Sequence, residues 1–164
     1  MSDGPLDDVG LLTRREIEAR IVAPLLERLA AEYGAGVYDI AGDTIVGIAR
    51  DQGAALAERV GGTSLSDFAR GLAAWSAGGA LELEVIESDD AVFAFDVTRC
   101  RYAEMYRSLG LAELGSGLSC NRDGALIEGF NPNVVFTRTQ TIMGGATHCD
   151  FRFRLADTPV ELRR

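Results

Sequence analysis

The sequence of 164 residues contains no lysine, one histidine, three cysteines and no long apolar run. Without lysine, the chain has neither a Schiff-base nucleophile nor the lysine of a P-loop. No segment approaches the roughly 20 apolar residues that a membrane-spanning helix requires. With one histidine, a zinc site with two histidine ligands cannot form within one chain. These absences exclude several classes of enzyme and a transmembrane protein.

Positive charge is also scarce, because 16 arginines face 25 acidic residues and the net charge is −9 at pH 7. Nucleic acids and anionic membranes both select basic surfaces, so we expect neither as a partner. The N-terminus lacks the basic and apolar segments of a secretory signal. Three cysteines without a CxxC pair therefore indicate reduced thiols and a cytoplasmic location, not a disulfide framework.

The first part of the chain has the pattern of a loose arm followed by a helix. Residues 1–12 are acidic and contain glycine and proline, which predicts a flexible arm before a single domain over 13–164. Thr13 and Glu16 have the spacing of a capping box. Apolar residues then recur at every fourth position, which predicts one buried helix face. The members of this stripe are Ile17, Ile21, Leu25 and Leu29.

Two further helices complete a predicted helical half over about 13–79. The segment 37–60 has a helical stripe, but three glycines interrupt it and weaken the prediction. Ser64 is a candidate cap for a third helix, with Asp67 in its first turn and a double glycine at its end.

In the second half of the domain, over about 80–156, apolar residues recur at every second position, as in a strand. Residues 81–85 and 92–99 alternate as two strands of a hairpin, and 134–155 predicts a second hairpin that turns at Gly144 and Gly145. Two short helices lie between the hairpins. Strands that come in hairpins favour an antiparallel sheet. We therefore predict an α+β fold with N-terminal helices packed on a sheet of about four strands.

The segment SCNRD at 119–123 is the first candidate for chemistry. If Ser119 caps a helix over 120–130, Cys120 lies in the first turn, where the helix dipole lowers the pKa of a thiol. Asp123, three residues on, shares its face. A thiolate beside a carboxylate serves as a nucleophile with an acid–base partner, or as two metal ligands. In the alternative interpretation, Cys120 is a small buried apolar residue and Asp123 complements the dipole.

The second candidate is the strand that contains His148 and Cys149. Adjacent residues of a strand point to opposite faces, so the two share a site only if the strand is irregular there. Strand geometry favours a core cysteine and a surface histidine. Arginines near these elements, among them Arg138 and Arg152, are candidates to bind a substrate carboxylate, or else partners of surface carboxylates. Cys100 ends a strand and is expected to help fill the core.

Six short blocks in one order resemble the L-2-amino-thiazoline-4-carboxylic acid hydrolase family. They are VTRCRYAEMY at 97–106, LGL at 109–111, SCNRD at 119–123, GFNP at 129–132, RTQTIM at 138–143 and GGATHCDFRF at 144–153. The resemblance implies a bacterial cytoplasmic enzyme that opens a thiazoline ring to give N-carbamoyl-L-cysteine. It also implies catalytic roles for Cys120, Asp123, His148 and Cys149, with Cys100 and Arg138 as secondary members.

On this basis we expect a hydrolase that opens a five-membered ring with a C=N or C–S bond. Cys120 would attack as a thiolate, Asp123 would move protons, and Arg138 would bind a carboxylate of the heterocyclic substrate. No cofactor is expected in this mechanism. In a zinc-dependent variant, the metal ligands are Cys120, Asp123 and Cys149, with or without His148. The alternative from another class is a non-catalytic, cysteine-lined binding module of the sensor type, and the sequence is compatible with a homo-oligomer.

Overall fold

The computed structural model describes residues 9–157, which form seven α-helices and one four-stranded sheet. The first part contains α1 (Leu11–Tyr33), α2 (Gly36–Val60), α3 (Leu65–Gly71), α4 (Ala73–Ser76) and a 3-10 turn (Ala77–Gly79). The hairpin of β1 (Leu81–Ser88) and β2 (Val92–Cys100) follows, and then α5 (Arg101–Ser108), α6 (Ala112–Gly115) and a π-helical turn (Ser116–Cys120). The chain continues with α7 (Arg122–Phe130), β3 (Val134–Thr137) and β4 (Cys149–Leu155).

The four strands pair antiparallel in the order β1-β2-β4-β3, which confirms the α+β fold. The second hairpin turns at Gly144 and Gly145 as predicted, but it is less regular, because β3 ends at Thr137 and the turn lies within a long loop before β4. Asp150 explains this loop. Its carboxylate accepts hydrogen bonds from the Thr139 N–H at 2.9 Å and the Gln140 N–H at 2.8 Å, so these backbone groups bond to a side chain and not to a strand.

The face of the sheet that carries aromatic side chains forms the main core. Phe95 and Phe151 stack with ring centroids 4.9 Å apart, and Phe136 and Phe153 stack at 4.7 Å. Phe68 of α3 covers them, with its ring 5.2 Å from that of Phe153. Such ring pairs contribute about 0.5–1.5 kcal/mol each beyond the burial of their area. The helices therefore pack on one face of the sheet, and the other face carries the polar residues of β2 and β4.

The prediction of a buried stripe in α1 is wrong, because the first three residues of the stripe lie on the exposed side of the helix. Ile17, Ile21 and Leu25 are 52%, 64% and 55% exposed. The buried face consists of Arg15, Ala19, Ala23 and Leu26. Alanines on this face let α1 approach α2 and α5 closely, so burial follows side-chain size and not hydrophobicity alone. The N-cap is Gly10 and not Thr13, so the predicted capping box there is also wrong.

Glycines of α2 do not interrupt the helix, and one of them fixes where α7 lies. A Cβ atom built on Gly53 would lie 2.0 Å from the Leu126 carbonyl oxygen, and one on Gly129 would lie 1.9 Å from the Arg50 carbonyl oxygen. The backbones of α2 and α7 therefore touch at two glycines. This contact positions the helix that carries Asp123.

Other local predictions are partly confirmed. Ser64 and Asp67 form the predicted capping box, but α3 ends at Gly71 and a short α4 follows. The strand β1 is not half buried as its alternation predicts, because it lies at the sheet edge with every residue after Leu81 exposed. Residues 1–8 of the predicted arm lie outside the described residues, and α1 already begins at Leu11. Within 9–157, no helix combines the length and hydropathy needed to cross a membrane.

Candidate functional site

The structure divides the predicted site residues between the two sides of the sheet. Cys120, Asp123 and Arg138 form one group, which we call the inner cluster, between α7 and the core face of the sheet. His148 and Arg152 lie on the opposite face with Asp96, in what we call the outer cluster.

Arg138 holds the inner cluster together. It continues the alternation of Val134 and Phe136, so it points to the core side after β3 has ended. Its guanidinium pairs with the Asp123 carboxylate and donates from Nη2 to the Cys120 carbonyl oxygen at 3.2 Å. It also lies 5.2 Å from the ring centroid of Phe151. The Arg138 and Asp123 side chains are only 15% and 16% exposed, so the pair is largely desolvated.

Cys120 precedes α7 and does not lie in its first turn. It ends the π-helical turn, and Asn121 is the N-cap of the helix. Burial, followed by the nearby charge of Asp123, raises the pKa of the Cys120 thiol to about 12. The prediction of a lowered pKa is therefore wrong. The thiol is protonated at rest near pH 7.

Asp123 has a pKa suited to proton transfer. Burial raises the pKa of its carboxyl from 3.8 to about 6, although the charges of Arg138, Arg122 and Arg15 oppose this rise. A group with a pKa near the working pH is the most effective general acid or base. Asp123 therefore accepts and releases a proton at little cost near neutral pH.

The other two cysteines border the inner cluster as protonated thiols. Cys100 caps α5, and its Sγ accepts a hydrogen bond from the Ala103 N–H at 3.4 Å. Burial raises its pKa to about 11. The Sγ of Cys149 accepts from the Ile142 N–H at 3.1 Å, and burial raises its pKa too. Cys100 and Cys149 both contribute to the raised pKa of Cys120, so the three cysteines lie in one region of the fold.

The outer cluster is a set of surface polar contacts. Arg152 pairs with Asp96 at 2.7 Å, and the His148 Nε2 lies 3.9 Å from the other carboxylate oxygen of Asp96. His148 also contacts the Gln140 side-chain amide at 2.9 Å. Strand alternation thus separates His148 from its neighbour Cys149, as expected. His148 and Arg152 do not share the inner cluster.

The residues proposed as zinc ligands do not form a ligand set. Within 9–157, no group of three or more histidine, cysteine, aspartate or glutamate side chains is arranged to hold a metal ion. His148 is on the outer face, and Asp123 is already paired with Arg138. The described residues therefore do not fit the zinc-dependent variant.

Sequence analysis counts Arg122 among the candidate arginines but misses Arg15 and Glu18, which form a second charged group with it next to the inner cluster. Arg15 of α1 donates from Nη1 to both carboxylate oxygens of Glu18, at 2.5 and 2.6 Å. Arg122 of α7 donates to the same carboxylate at 3.0 Å and to the Leu118 carbonyl oxygen at 2.9 Å. The available signal is the position of Arg15, which precedes Ala19 and Ala23 by one and two turns on the face that is buried.

A cavity of about 320 Å³ borders the π-helical turn. Leu118 and Asn121 line it together with residues of α1, α2 and α6. A second cavity of about 250 Å³ lies between α3, α4 and the first hairpin, and its lining is mostly apolar. Neither cavity is lined by Cys120 or Asp123, but the first one adjoins the segment that carries them.

The fold and this site define a helix-covered antiparallel α+β domain with a buried thiol–carboxylate–guanidinium group. The model of the L-2-amino-thiazoline-4-carboxylic acid hydrolase family matches residues 14–153, and the chain belongs to this family. The match includes every residue of the inner cluster. No curated protein matches the sequence.

One solved structure supports the fold. The chain is similar to a trafficking protein particle complex subunit 3 from Naegleria fowleri, described as covalently bound to palmitic acid, with a TM-score of 0.52 at 12% identity. That similarity covers 91% of this chain and 99% of the other. A phenol-responsive sensory domain of the transcription activator PoxR is also 12% identical, with a TM-score of 0.49 over 82% of this chain and 72% of the other.

Proposed function

We propose that the protein is a small-molecule hydrolase that opens a five-membered heterocycle with a C=N or C–S bond, as the family name implies. The observation that carries this proposal is the inner cluster, in which Arg138 joins a buried carboxyl with a pKa of about 6 to the backbone of Cys120, and the charge of that carboxyl raises the pKa of the Cys120 thiol. We place the reaction in the cytoplasm, with no nucleic acid or membrane partner, because the chain is acidic and its three cysteines are free.

The raised pKa of Cys120 requires that the proton leaves as the nucleophile attacks. The thiol proton moves to Asp123 while Sγ bonds to the ring carbon between nitrogen and sulfur, and Asp123 then protonates the ring nitrogen. The ring C–S bond breaks as a C=N bond forms to the exocyclic amino nitrogen, and the proton that this nitrogen releases passes to the ring sulfur, which leaves as a thiol. Water adds to the same carbon, the bond to Sγ breaks, and Cys120 regains its proton. The net reaction consumes one water molecule.

Arg138 is a positioning residue in this mechanism. The role expected of it from the sequence, binding the substrate carboxylate, does not suit it, because its guanidinium is paired with Asp123 and with the Cys120 carbonyl oxygen. From this position it holds the carboxyl next to the thiol. Its positive charge also lowers the pKa of Cys120, which favours the developing thiolate.

A non-catalytic binding module is the second candidate. It is favoured by the protonated state of the buried thiols, since a binding pocket has no need of a reactive thiolate. The two functions differ in what Cys120 does. A nucleophile is indispensable to turnover, whereas a pocket-lining thiol affects affinity or stability only.

The test measures ring opening of L-2-amino-thiazoline-4-carboxylate, since hydrolysis releases a thiol that a colorimetric thiol reagent detects. We expect Cys120→Ser to lose turnover by up to about a million-fold, because the hydroxyl is a poor nucleophile at neutral pH. Asp123→Asn should lose about a hundred- to ten-thousand-fold, the range for one acid–base group. Asp51→Asn, which removes a carboxylate from an exposed position of α2, is the control and should retain activity.

Two results would contradict the proposal. The first is no ring opening by the folded wild-type protein, and the second is undiminished turnover in Cys120→Ser. Thermal unfolding of each variant shows whether a loss of turnover reflects loss of the fold.

A further inference from the structure

We infer that Arg15 and Arg122 form a binding site for a carboxylate, and that this site holds the carboxylate of the substrate beside the inner cluster. The inference deepens the proposed function and rests on it for the identity of the ligand as a substrate. The anion site itself stands on the contacts and charges of three side chains, Arg15, Glu18 and Arg122.

Burial makes this group unusual. The side chains of Arg15 and Arg122 are 10% and 13% exposed. Arg15 is the one charged residue among 9–157 that is buried as a whole, at 8% exposure. Charged side chains rarely leave water without a compensating partner. Here two buried guanidinium groups from different helices converge on one carboxylate, Glu18, which is itself 43% exposed.

The charges of this group do not balance. Two positive charges share the single negative charge of Glu18, whereas Arg138 and Asp123 balance each other. The excess of positive charge destabilises the charged form of Arg122, because burial and the charge of Arg15 lower the pKa of its guanidinium group. One further carboxylate would neutralise the group. A monoanionic ligand therefore fits the site by charge.

The hydrogen-bonding groups also leave room for a ligand. Arg15 uses Nη1 for Glu18, and Arg122 uses Nε and Nη2 for Leu118 and Glu18. Within the described part of the chain, Nη2 of Arg15 and Nη1 of Arg122 donate to no protein acceptor. Planar guanidinium donors of this kind match the two oxygens of a carboxylate. The partly exposed Glu18 shows that solvent reaches this group.

The position of the group connects it to the reaction. Arg122 directly precedes Asp123, and the charges of Arg122 and Arg15 both lower the pKa of that carboxyl. The other candidates for a carboxylate clamp are occupied, because Arg138 holds Asp123 and Arg152 holds Asp96 on the outer face. Among these four arginines, Arg15 and Arg122 are thus the two that share a single carboxylate.

The test uses L-thiazolidine-4-carboxylate, a saturated ring without the C=N bond that the hydrolase attacks, and thiazolidine, which lacks the carboxylate. Isothermal titration calorimetry should show that the wild type binds the carboxylate far more tightly than thiazolidine. Arg15→Gln should weaken that binding about 10- to 100-fold, the equivalent of a hydrogen bond to a charged group. Arg122→Gln should have a similar effect.

Two controls separate binding from structure. Arg20→Gln removes the same charge from an exposed position of α1, where Arg20 pairs with Glu16, and should leave binding unchanged. Glu18→Gln removes the competing carboxylate, so the affinity for the probe should rise. A merely structural group would lower stability in Glu18→Gln without any gain in affinity.

The outcomes distinguish this inference from the proposed function. Equal binding of the probe by Arg15→Gln and wild type, or equal binding of the two probes, overturns the carboxylate site. Ring opening with an unchanged KM in Arg15→Gln also overturns it while the hydrolase proposal stands. Binding that depends on Arg15, in a protein that opens no ring, supports the anion site and rejects the hydrolase.

Discussion

The two faces of the sheet carry the same kind of ion pair in different surroundings. Arg138 and Asp123 of the inner cluster are 15% and 16% exposed, whereas Arg152 and Asp96 of the outer cluster are 39% and 24% exposed. The inner pair lies under α7 beside a thiol, and the outer pair lies on the open face of β2 and β4. Burial under a helix, more than the residue types, distinguishes a candidate reaction centre from a surface salt bridge.

The largest expected difference between the clusters is in stability. Arg138→Gln removes the cation that is paired with the buried Asp123 carboxylate, and breaking such a pair costs about 3–5 kcal/mol of the free energy of unfolding. Arg152→Gln removes a solvent-screened partner and should cost about 1 kcal/mol or less. Urea unfolding at pH 7 measures both. Equal losses in the two variants would show that the inner pair is no more desolvated than the outer one.

The fold can be predicted from the sequence where periodicity and turn residues agree. The α+β class, the first hairpin and the cap at Ser64 follow from patterns that depend on neighbours in sequence. The exposed stripe at Ile17 and Ile21 cannot be predicted, because hydrophobic spacing cannot tell that the alanine face packs more closely. The long loop before β4 depends on Asp150, a partner distant along the chain from the residues it binds.

Two glycine substitutions in α2 test whether the contact between α2 and α7 positions the inner cluster. Gly53→Ala places a methyl group against the backbone of α7 and should cost about 3 kcal/mol, the upper part of the range for overpacking. Gly47→Ala, in the same helix but with no atom within 4 Å of the added Cβ, should gain about 0.5–1 kcal/mol. Thermal unfolding compares the two.

Because α7 carries Asp123, Gly53→Ala should also disturb the inner cluster and leave the contacts of His148 unchanged. NMR spectra of Gly53→Ala should therefore show chemical-shift changes at the inner cluster. Changes confined to the outer cluster would contradict the inference that the α2–α7 contact positions Asp123. The NMR spectrum of Gly47→Ala is the control, because this variant has the same substitution in α2 but leaves the α2–α7 contact intact.

The site can be predicted in part, and the errors have a common physical cause. Cys120 and Asp123 share the partner Arg138, consistent with their predicted proximity, but the predicted sign of the Cys120 pKa shift is wrong, because the residue ends a π-helical turn before α7 and burial raises the pKa of its thiol. Arg15 is missed because its alignment with Ala19 and Ala23 becomes a signal of burial only once the alanine face is known to be the buried one. Both errors concern solvent access, which the packing of α1, α5 and α7 creates.

The smallest expected effect is the pH dependence of stability due to Asp123. Its pKa is raised from 3.8 to about 6 on folding, so the folded state binds the proton more tightly than the unfolded chain between those values. The stabilisation from this proton is complete below about pH 4 and is lost as the pH rises through 6.

Asp150 should act in the opposite sense. Burial favours its protonated form, but the hydrogen bonds from Thr139 and Gln140 outweigh this and lower its pKa, so its contribution is lost as the pH falls.

Free energies of unfolding from pH 4 to 7 separate these contributions when each variant is compared with wild type. The stability of Asp123→Asn relative to wild type should rise by about 2 kcal/mol over this range, since a shift of one pKa unit corresponds to about 1.4 kcal/mol. The relative stability of Asp150→Asn should stay nearly constant over this range, because a carboxyl with a lowered pKa loses its contribution only below its ordinary pKa of 3.8. Other carboxyl groups titrate equally in wild type and variant, so they cancel from each difference. A relative stability of Asp123→Asn that stays constant between pH 4 and 7 would show that the pKa of the Asp123 carboxyl is not raised by burial, and the distinction between the two faces of the sheet would lose its electrostatic basis.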